Sequence, residues 1–365
     1  MRRRILSLAA IIVLVSVALS VSCGEGEEEP SGAPAASPTA PPTATPAAAT
    51  PTPAVVLPRD EAPHADAAWE WWYYTGHLNA AGKDYGFELV LFQVAAGPGQ
   101  AYRLSHFAIS DEGREKFTYN QKAEKGAPLT GTDSFDLPIG DWRLAGGKGE
   151  FALKAQSDDG AYAFDLTLKE AKPASLHCEG GWQDLGELGK AYYYSYTRLN
   201  VEGTFSDGAT SAPCTGIAWM DHQWGREQMS AGAGAGWDWL SIQLDDNTEI
   251  MAFVARAKGV TKGGASYVDA SGAVVRLPME GFKWTSTGTW ASEKTGIIWP
   301  SGWKLAIPDQ QLELEITPVM PDQELDVRQS TRNIYWEGDC KVTGTKAGKP
   351  ITGRSYVELT GYEAQ

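Results

Sequence analysis

Apolar and polar positions alternate along much of the chain. Over residues 162–169, Phe164, Leu166 and Leu168 are separated by Asp165, Thr167 and Lys169. This period of two is what a half-buried strand requires, because successive side chains point to opposite faces. Strand-length runs also occupy 85–93, 150–154, 192–197, 249–256 and 312–318. Turn formers stand between them, among them Asp158-Asp159-Gly160, Ser206-Asp207-Gly208 and Asp245-Asp246-Asn247. Their short polar side chains and glycines accept tight backbone geometry. No long amphipathic helix pattern emerges. Many short strands at regular spacing predict an all-β sandwich or barrel.

One pattern occurs twice. Trp69-Glu70-Trp71 opens a strand that turns into the run 85–92, and Trp237-Asp238-Trp239 opens one that turns through Asp245-Asp246-Asn247 into 249–254. The copies begin at 69 and 237, 168 residues apart, a spacing that suits one antiparallel barrel each. The expectation is two tandem antiparallel β-barrels, over 59–215 and 216–365.

The N-terminus follows other rules. Arg2, Arg3 and Arg4 precede an apolar run over 5–21, and Cys23 follows it. A basic stretch before an apolar core is an export signal, and a cysteine at its end is where a lipoprotein signal is cut and acylated. A lipoprotein-type signal over 1–23 with Cys23 lipidated is expected. The alternative is an uncleaved anchor, since the run nearly spans a bilayer. Residues 24–58 are Pro-, Ala- and Thr-rich and contain no aromatic, which predicts a disordered spacer. Both readings place the body outside the cytoplasm, tied to a membrane.

Charge narrows the partners. Asp and Glu number 46 against 31 Lys and Arg, a net charge of -15, so nucleic acid is excluded as the main partner. Four cysteines in 365 residues exclude a disulfide scaffold. A Cys178–Cys214 disulfide would staple the segment joining the barrels and leave Cys340 a buried thiol, although spacing leaves the pairing open.

Several longer motifs point the same way: EWWYYTGHL at 70–78, YYSYTRL at 193–199, GIAWMDHQWG at 216–225, GWDW at 236–239, DQEL at 322–325, YWEG at 335–338 and YVELTGY at 356–362. Over 65–365 the chain resembles the AttH-like, lipocalin-like family that contains carotenoid 1,2-hydratase (hydroxyneurosporene synthase) and kievitone hydratase, with fungal decalin-forming pericyclases as distant relatives. Gln223 stands where the family motif carries Glu. The resemblance implies two lipocalin-like barrels and a hydrophobic small-molecule ligand, isoprenoids included. It carries acid and aromatic roles onto His222 and Trp224, with Asp238 as companion carboxylate.

The residues suit that chemistry. Hydrating an unactivated alkene needs a proton donor, a place for a cation, and water. A His or carboxyl among apolar groups can donate, and Trp or Tyr faces stabilise a cation by about 0.5–2 kcal/mol per ring. His222, Asp221 and Asp238 are therefore the expected catalytic groups. Glu70, Trp71, Trp72, Tyr74, His106, Tyr196, Trp219, Trp224, Trp237 and Trp239 are the expected ligand contacts. The segment 221–224 is expected at the first barrel's mouth or the inter-barrel cleft, with His222 lining a cavity of about 300 Å³ or more. The plainer alternative has Asp221 accepting a hydrogen bond from backbone or Trp, and His222 packed where the barrels join.

Other chemistries lack support. There is no G-x-S-x-G elbow, no H-E-x-x-H, no Cys pair at zinc spacing and no Gly-rich strand–loop–helix unit, so no metal or cofactor is expected. The Gly-rich run 232–236 reads as a mobile loop. Two functions follow: a hydratase or isomerase acting on a hydrophobic molecule, or a lipoprotein that binds such a molecule without transforming it.

Overall fold

The computed structural model describes residues 54–227 and 235–364. The expected signal with Cys23, the spacer up to residue 53 and most of the Gly-rich run lie outside the described residues. Two antiparallel sheets account for the fold. The first holds β1 (Trp69–Ala80), β2 (Lys83–Gly97), β3 (Gln100–Asp111), β4 (Lys116–Gly126), β5 (Phe135–Ile139), β6 (Trp142–Gly147), β7 (Glu150–Gln156), β8 (Ala163–Glu170), β9 (Ser175–Leu176), β10 (Trp182–Asp184), β11 (Lys190–Ser206) and β12 (Ser211–Gly225). The second holds β13 (Gly236–Leu244), β14 (Glu249–Ala257), β15 (Val260–Val268), β16 (Val274–Pro278), β17 (Lys283–Ala291), β18 (Ile298–Ile307), β19 (Leu312–Pro318), β20 (Glu324–Asp326), β21 (Ile334–Lys346) and β22 (Lys349–Leu359).

The two sheets follow one path. The first runs β4-β3-β2-β1-β12-β11-β8-β7-β6-β5, and the second β16-β15-β14-β13-β22-β21-β19-β18-β17. In each, the first strand pairs with both its successor and the last strand, so β1 and β13 hold equivalent places. The repeated Trp-acid-Trp pattern marks them. The free edges of the first sheet meet through side chains: Glu124 Oε1 on β4 accepts from the Gly140 N–H beyond β5 at 2.8 Å, and Lys122 pairs with Asp141. The expected tandem of barrels is therefore the observed architecture.

Each barrel encloses its own core. Trp72, Tyr74, Leu89, Leu91, Phe107, Tyr194 and Trp224 pack inside the first. Leu240, Ile242, Trp299, Trp303, Trp336 and Val357 pack inside the second. Burying one such side chain contributes about 1.5–3 kcal/mol. A third cluster joins the barrels through the opposite faces of the same strands: Tyr73, Val90, Tyr193, Trp219, Trp239, Met251, Phe253 and Tyr356. That second burial explains why 85–93 reads as a continuous apolar run rather than an alternation. Charge pairs fasten the junction as well. A register shift in β11 between Tyr196 and Leu199 precedes the ladder's resumption, and Arg198 within it donates to Glu249 Oε1 at 2.6 Å. Lys172 reaches the other Glu249 oxygen at 2.6 Å.

Two expectations change, and one open question closes. The break placed between 215 and 216 falls inside β12, which pairs with β1 and β11 and belongs to the first sheet. The spacer was expected to reach residue 58, yet Val55 is buried and its N–H donates to Gly180 O at 2.8 Å, so the folded body starts earlier. Cys178, Cys214 and Cys340 are all free thiols, so the pairing that spacing left open is not formed.

Candidate functional site

Strand parity sorts the sequence motifs into two places. On β1, Glu70, Trp72 and Tyr74 face into the first barrel, while Trp71 and Tyr73 face the second. On β12, His222 and Trp224 face inward, while Trp219, Asp221 and Gln223 face outward. The pairing register sets Trp72 and Tyr194 opposite His222, and Tyr73 opposite Asp221. The DHQW motif is thus split across the wall of the sheet.

Inside the first barrel, Glu70 Oε1 sits 2.8 Å from His222 Nε2 and 2.7 Å from His64 Nδ1. His222 Nδ1 lies 3.1 Å from the Tyr194 hydroxyl. Trp72 stacks on His222 at 4.8 Å, and Trp224 on His64 at 4.0 Å. His222 and Glu70 have no exposed surface. Burial opposes charge on His64, but hydrogen bonds to Asp60 and Glu70 outweigh it and raise its pKa to about 9. Burial likewise opposes charge on Glu70, and the bonds from His222 and His64 overcome it, holding the carboxyl below its usual range. Burial depresses His222, with Glu70 partly offsetting it. The result is a neutral His222 beside a Glu70⁻–His64⁺ pair, closed off by the turn Arg59–Glu61 and the loop after it. Among the described residues these three offer a metal-like ligand set, their ligand atoms lying within 4.8 Å of one another. Hydrogen bonds between them already engage those same atoms, with Glu70 Oε1 accepting from both imidazoles.

The open space is elsewhere. A cavity of about 630 Å³ lies between the barrels, walled by Trp71, Tyr73, Phe92, Trp237, Trp239 and Phe253. Its size suits a drug-sized apolar molecule. Trp71 and Trp237 stack beside one another on its wall, ring centres 6.4 Å apart and 14° from parallel. Four carboxyls line it: Glu88, Asp221, Glu227 and Glu358. Burial raises Glu88 to about 8 against a hydrogen bond from Tyr335. Burial raises Glu358 to about 7 against one from Trp237 Nε1, 2.9 Å from Oε2. Burial raises Asp221 to about 6, opposed by three donors: Ser195 Oγ, Tyr193 Oη at 2.6 Å and Trp219 Nε1 at 2.6 Å.

These acids differ in freedom. Asp221 is fully engaged and serves as an acceptor that holds Tyr193 and Trp219 in place. Glu88 Oε1 accepts from Tyr335 Oη at 2.9 Å, while Oε2 is buried with no partner. Behind it, His106 Nδ1 lies 2.8 Å from Tyr335 Oη and His106 Nε2 lies 3.0 Å from Ser330 Oγ. Burial drops His106 to about 3, so its ring is neutral.

Of the expected site residues, Asp221, Trp71, His106, Trp237 and Trp239 line the cavity. Glu70, Trp72, Tyr74, Tyr196, His222 and Trp224 lie inside the first barrel instead, because inward parity places them there. Trp219 lies in the cluster joining the barrels. Asp238 faces the second barrel, where Arg256 binds it at 2.8 Å and Tyr362 Oη at 3.1 Å. The three expected catalytic groups are therefore not brought together, and His222 is packed solid rather than opening on a cavity. Glu88 and Glu358 escaped notice, although each is an acid flanked by apolar neighbours in a strand-like run. His64 carries no local signal, because its role depends on the loop reaching the barrel end.

A family model described as AttH-like matches residues 48–362. The crystal structure of an AttH protein from Nitrosomonas europaea superposes with a TM-score of 0.75 at 32% identity, covering 87% of this chain and 99% of that one. Kievitone hydratase from Nectria haematococca superposes with a TM-score of 0.66 at 18% identity, covering 86% of this chain and 94% of that one. No curated protein matches the chain.

Proposed function

The chain belongs to the AttH-like family, and from that premise we propose that it takes a hydrophobic small molecule, isoprenoids included, into the cleft between its barrels and protonates it, as a hydratase or isomerase. The carrying observation is Glu88, a buried carboxyl with one unpartnered oxygen on an aromatic cavity. Held up to about 8 by burial, it keeps its proton at neutral pH and is a matched general acid. The proton passes from Glu88 Oε2 to an alkene carbon, leaving a cation that the Trp71 and Trp237 faces stabilise. Water then adds to the cation and returns a proton to the Glu88 carboxylate. In isomerisation, a neighbouring carbon returns the proton instead. Kievitone hydratase, named for a hydration, shares the architecture. With Cys23 lipidated, the cleft would work outside the cytoplasm at a membrane surface.

Gln223 favours a second reading. It lines the same cavity and donates to Gln183 Oε1 at 2.9 Å, so an amide replaces an acid at that wall. A protein that binds without turnover fits this loss. Incubation of isoprenoids, fatty acids and polyketides in D₂O, followed by mass spectrometry, separates the readings. Deuterium or D₂O gained with the native protein and not with Glu88→Gln supports catalysis. Binding without any mass change supports carriage.

A further inference from the structure

We propose that the molecule held in the cleft carries an anionic head group, a carboxylate or phosphate, and that Arg332 with Thr331 holds it at the cavity's edge. The inference rests on the cleft being the binding site and adds the class of ligand. Both residues line the cavity from the loop between β20 and β21. Arg332 makes no hydrogen bond or ion pair among the described residues, whereas every other described arginine makes at least one. An unpaired guanidinium is out of place in a chain where acids outnumber bases 46 to 31. Thr331 Oγ1 beside it is buried with no partner. Arg332 is exposed and offers a free fork of N–H donors, and the hydroxyl of its chain neighbour Thr331 lacks a partner; together these are the chemistry that grips a carboxylate or phosphate in two places.

The loop is built to present them. Val327 N donates to Asn333 O at 3.1 Å and Thr331 N to Val327 O at 3.1 Å, closing the loop on itself. Gln121 pins it from the first barrel, accepting from Ser330 N at 2.8 Å and donating to Asp326 O at 3.2 Å. Arg332 itself adopts φ 62, a left-handed conformation that a side chain disfavours and that persists where the surroundings impose it. The other cations at the cavity are engaged: Lys190 with Asp184 at 3.2 Å and Arg256 with Asp238 at 2.8 Å. Burial keeps Glu88 mostly protonated near neutral pH and Glu358 about half so, which weakens their repulsion of an incoming anion, while Asp221 is held by three donors of its own.

Quenching of intrinsic tryptophan fluorescence by dodecanoate, dodecyl phosphate and 1-dodecanol tests this, with native protein and Arg332→Gln. One or both anions should bind about tenfold or more tightly than the alcohol at low salt, and the stronger of them identifies the head group. Arg332→Gln should erase that preference while leaving 1-dodecanol affinity and thermal unfolding unchanged. Equal affinities for all three, or a preference that survives Arg332→Gln, overturns the head-group assignment and leaves the cleft as an apolar site. No binding of any of the three overturns the cleft reading together with it.

Discussion

Glu88 on β2 accepts a 2.9 Å hydrogen bond from Tyr335 on β21, so one carboxyl links the two barrels and faces the space between them. Its ordinary pKa is 4.5 and its folded value is about 8, so the folded state holds the proton more tightly. The resulting stability is fully present below about pH 4.5 and is lost as pH rises through 8. Each tenfold difference in proton affinity is worth about 1.4 kcal/mol, so the loss is of the order of a few kcal/mol. Glu88→Gln should remove most of this pH dependence and unfold at a higher temperature than the native protein at pH 8.5. Thermal unfolding from pH 4.5 to 8.5 measures it; parallel curves would contradict a protonated Glu88.

His222→Ala should act on stability. It removes the neutral partner of buried Glu70 and leaves a gap between Trp72 and Trp224. Losing a hydrogen bond to a buried charged group costs about 1.5–3 kcal/mol, and the gap adds to it. Urea unfolding should show a loss of that size, while ligands of the cleft keep their affinity for whatever fraction remains folded. A stable variant without turnover would instead return His222 to the chemistry.

Trp71→Ala should weaken apolar ligands without unfolding the protein. Its ring lines the cavity beside Trp237, and losing such a contact costs about 1–2 kcal/mol, or roughly tenfold in affinity. Calorimetric titration with a dodecyl alcohol checks this, with thermal unfolding as the control.

Much of the fold was legible because its signals are local. Period-two runs and turn residues mark the strands, and the Trp69-Glu70-Trp71 and Trp237-Asp238-Trp239 echo marks the equivalent openings of the two sheets. Parity was legible too: Glu70 shares a face with Trp72 and Tyr74. Which face meets the ligand was not, since both faces of β1 are buried, one in a barrel and one at the junction. The family motif drew attention to His222, but the same alternation that exposes Asp221 to the cleft turns His222 away. Glu88 and Tyr335 lie 247 residues apart, and only the docking of the barrels makes them partners.

The free cysteines give a chemical check. Denatured, unreduced protein treated with an alkylating reagent should be modified at Cys178, Cys214 and Cys340. A Cys178–Cys214 peptide pair resistant to alkylation until reduction would show the disulfide after all.

The central claim is that the ligand lies between the barrels and not inside the first one. A long-chain alcohol bearing a diazirine, photolysed on the protein and mapped by peptide sequencing, tests this most directly. Saturable labelling of Trp71, Phe92, Trp237 or Phe253 is the predicted result. Labelling confined to Trp72, Tyr74 and Tyr194, or labelling that never saturates, would contradict it.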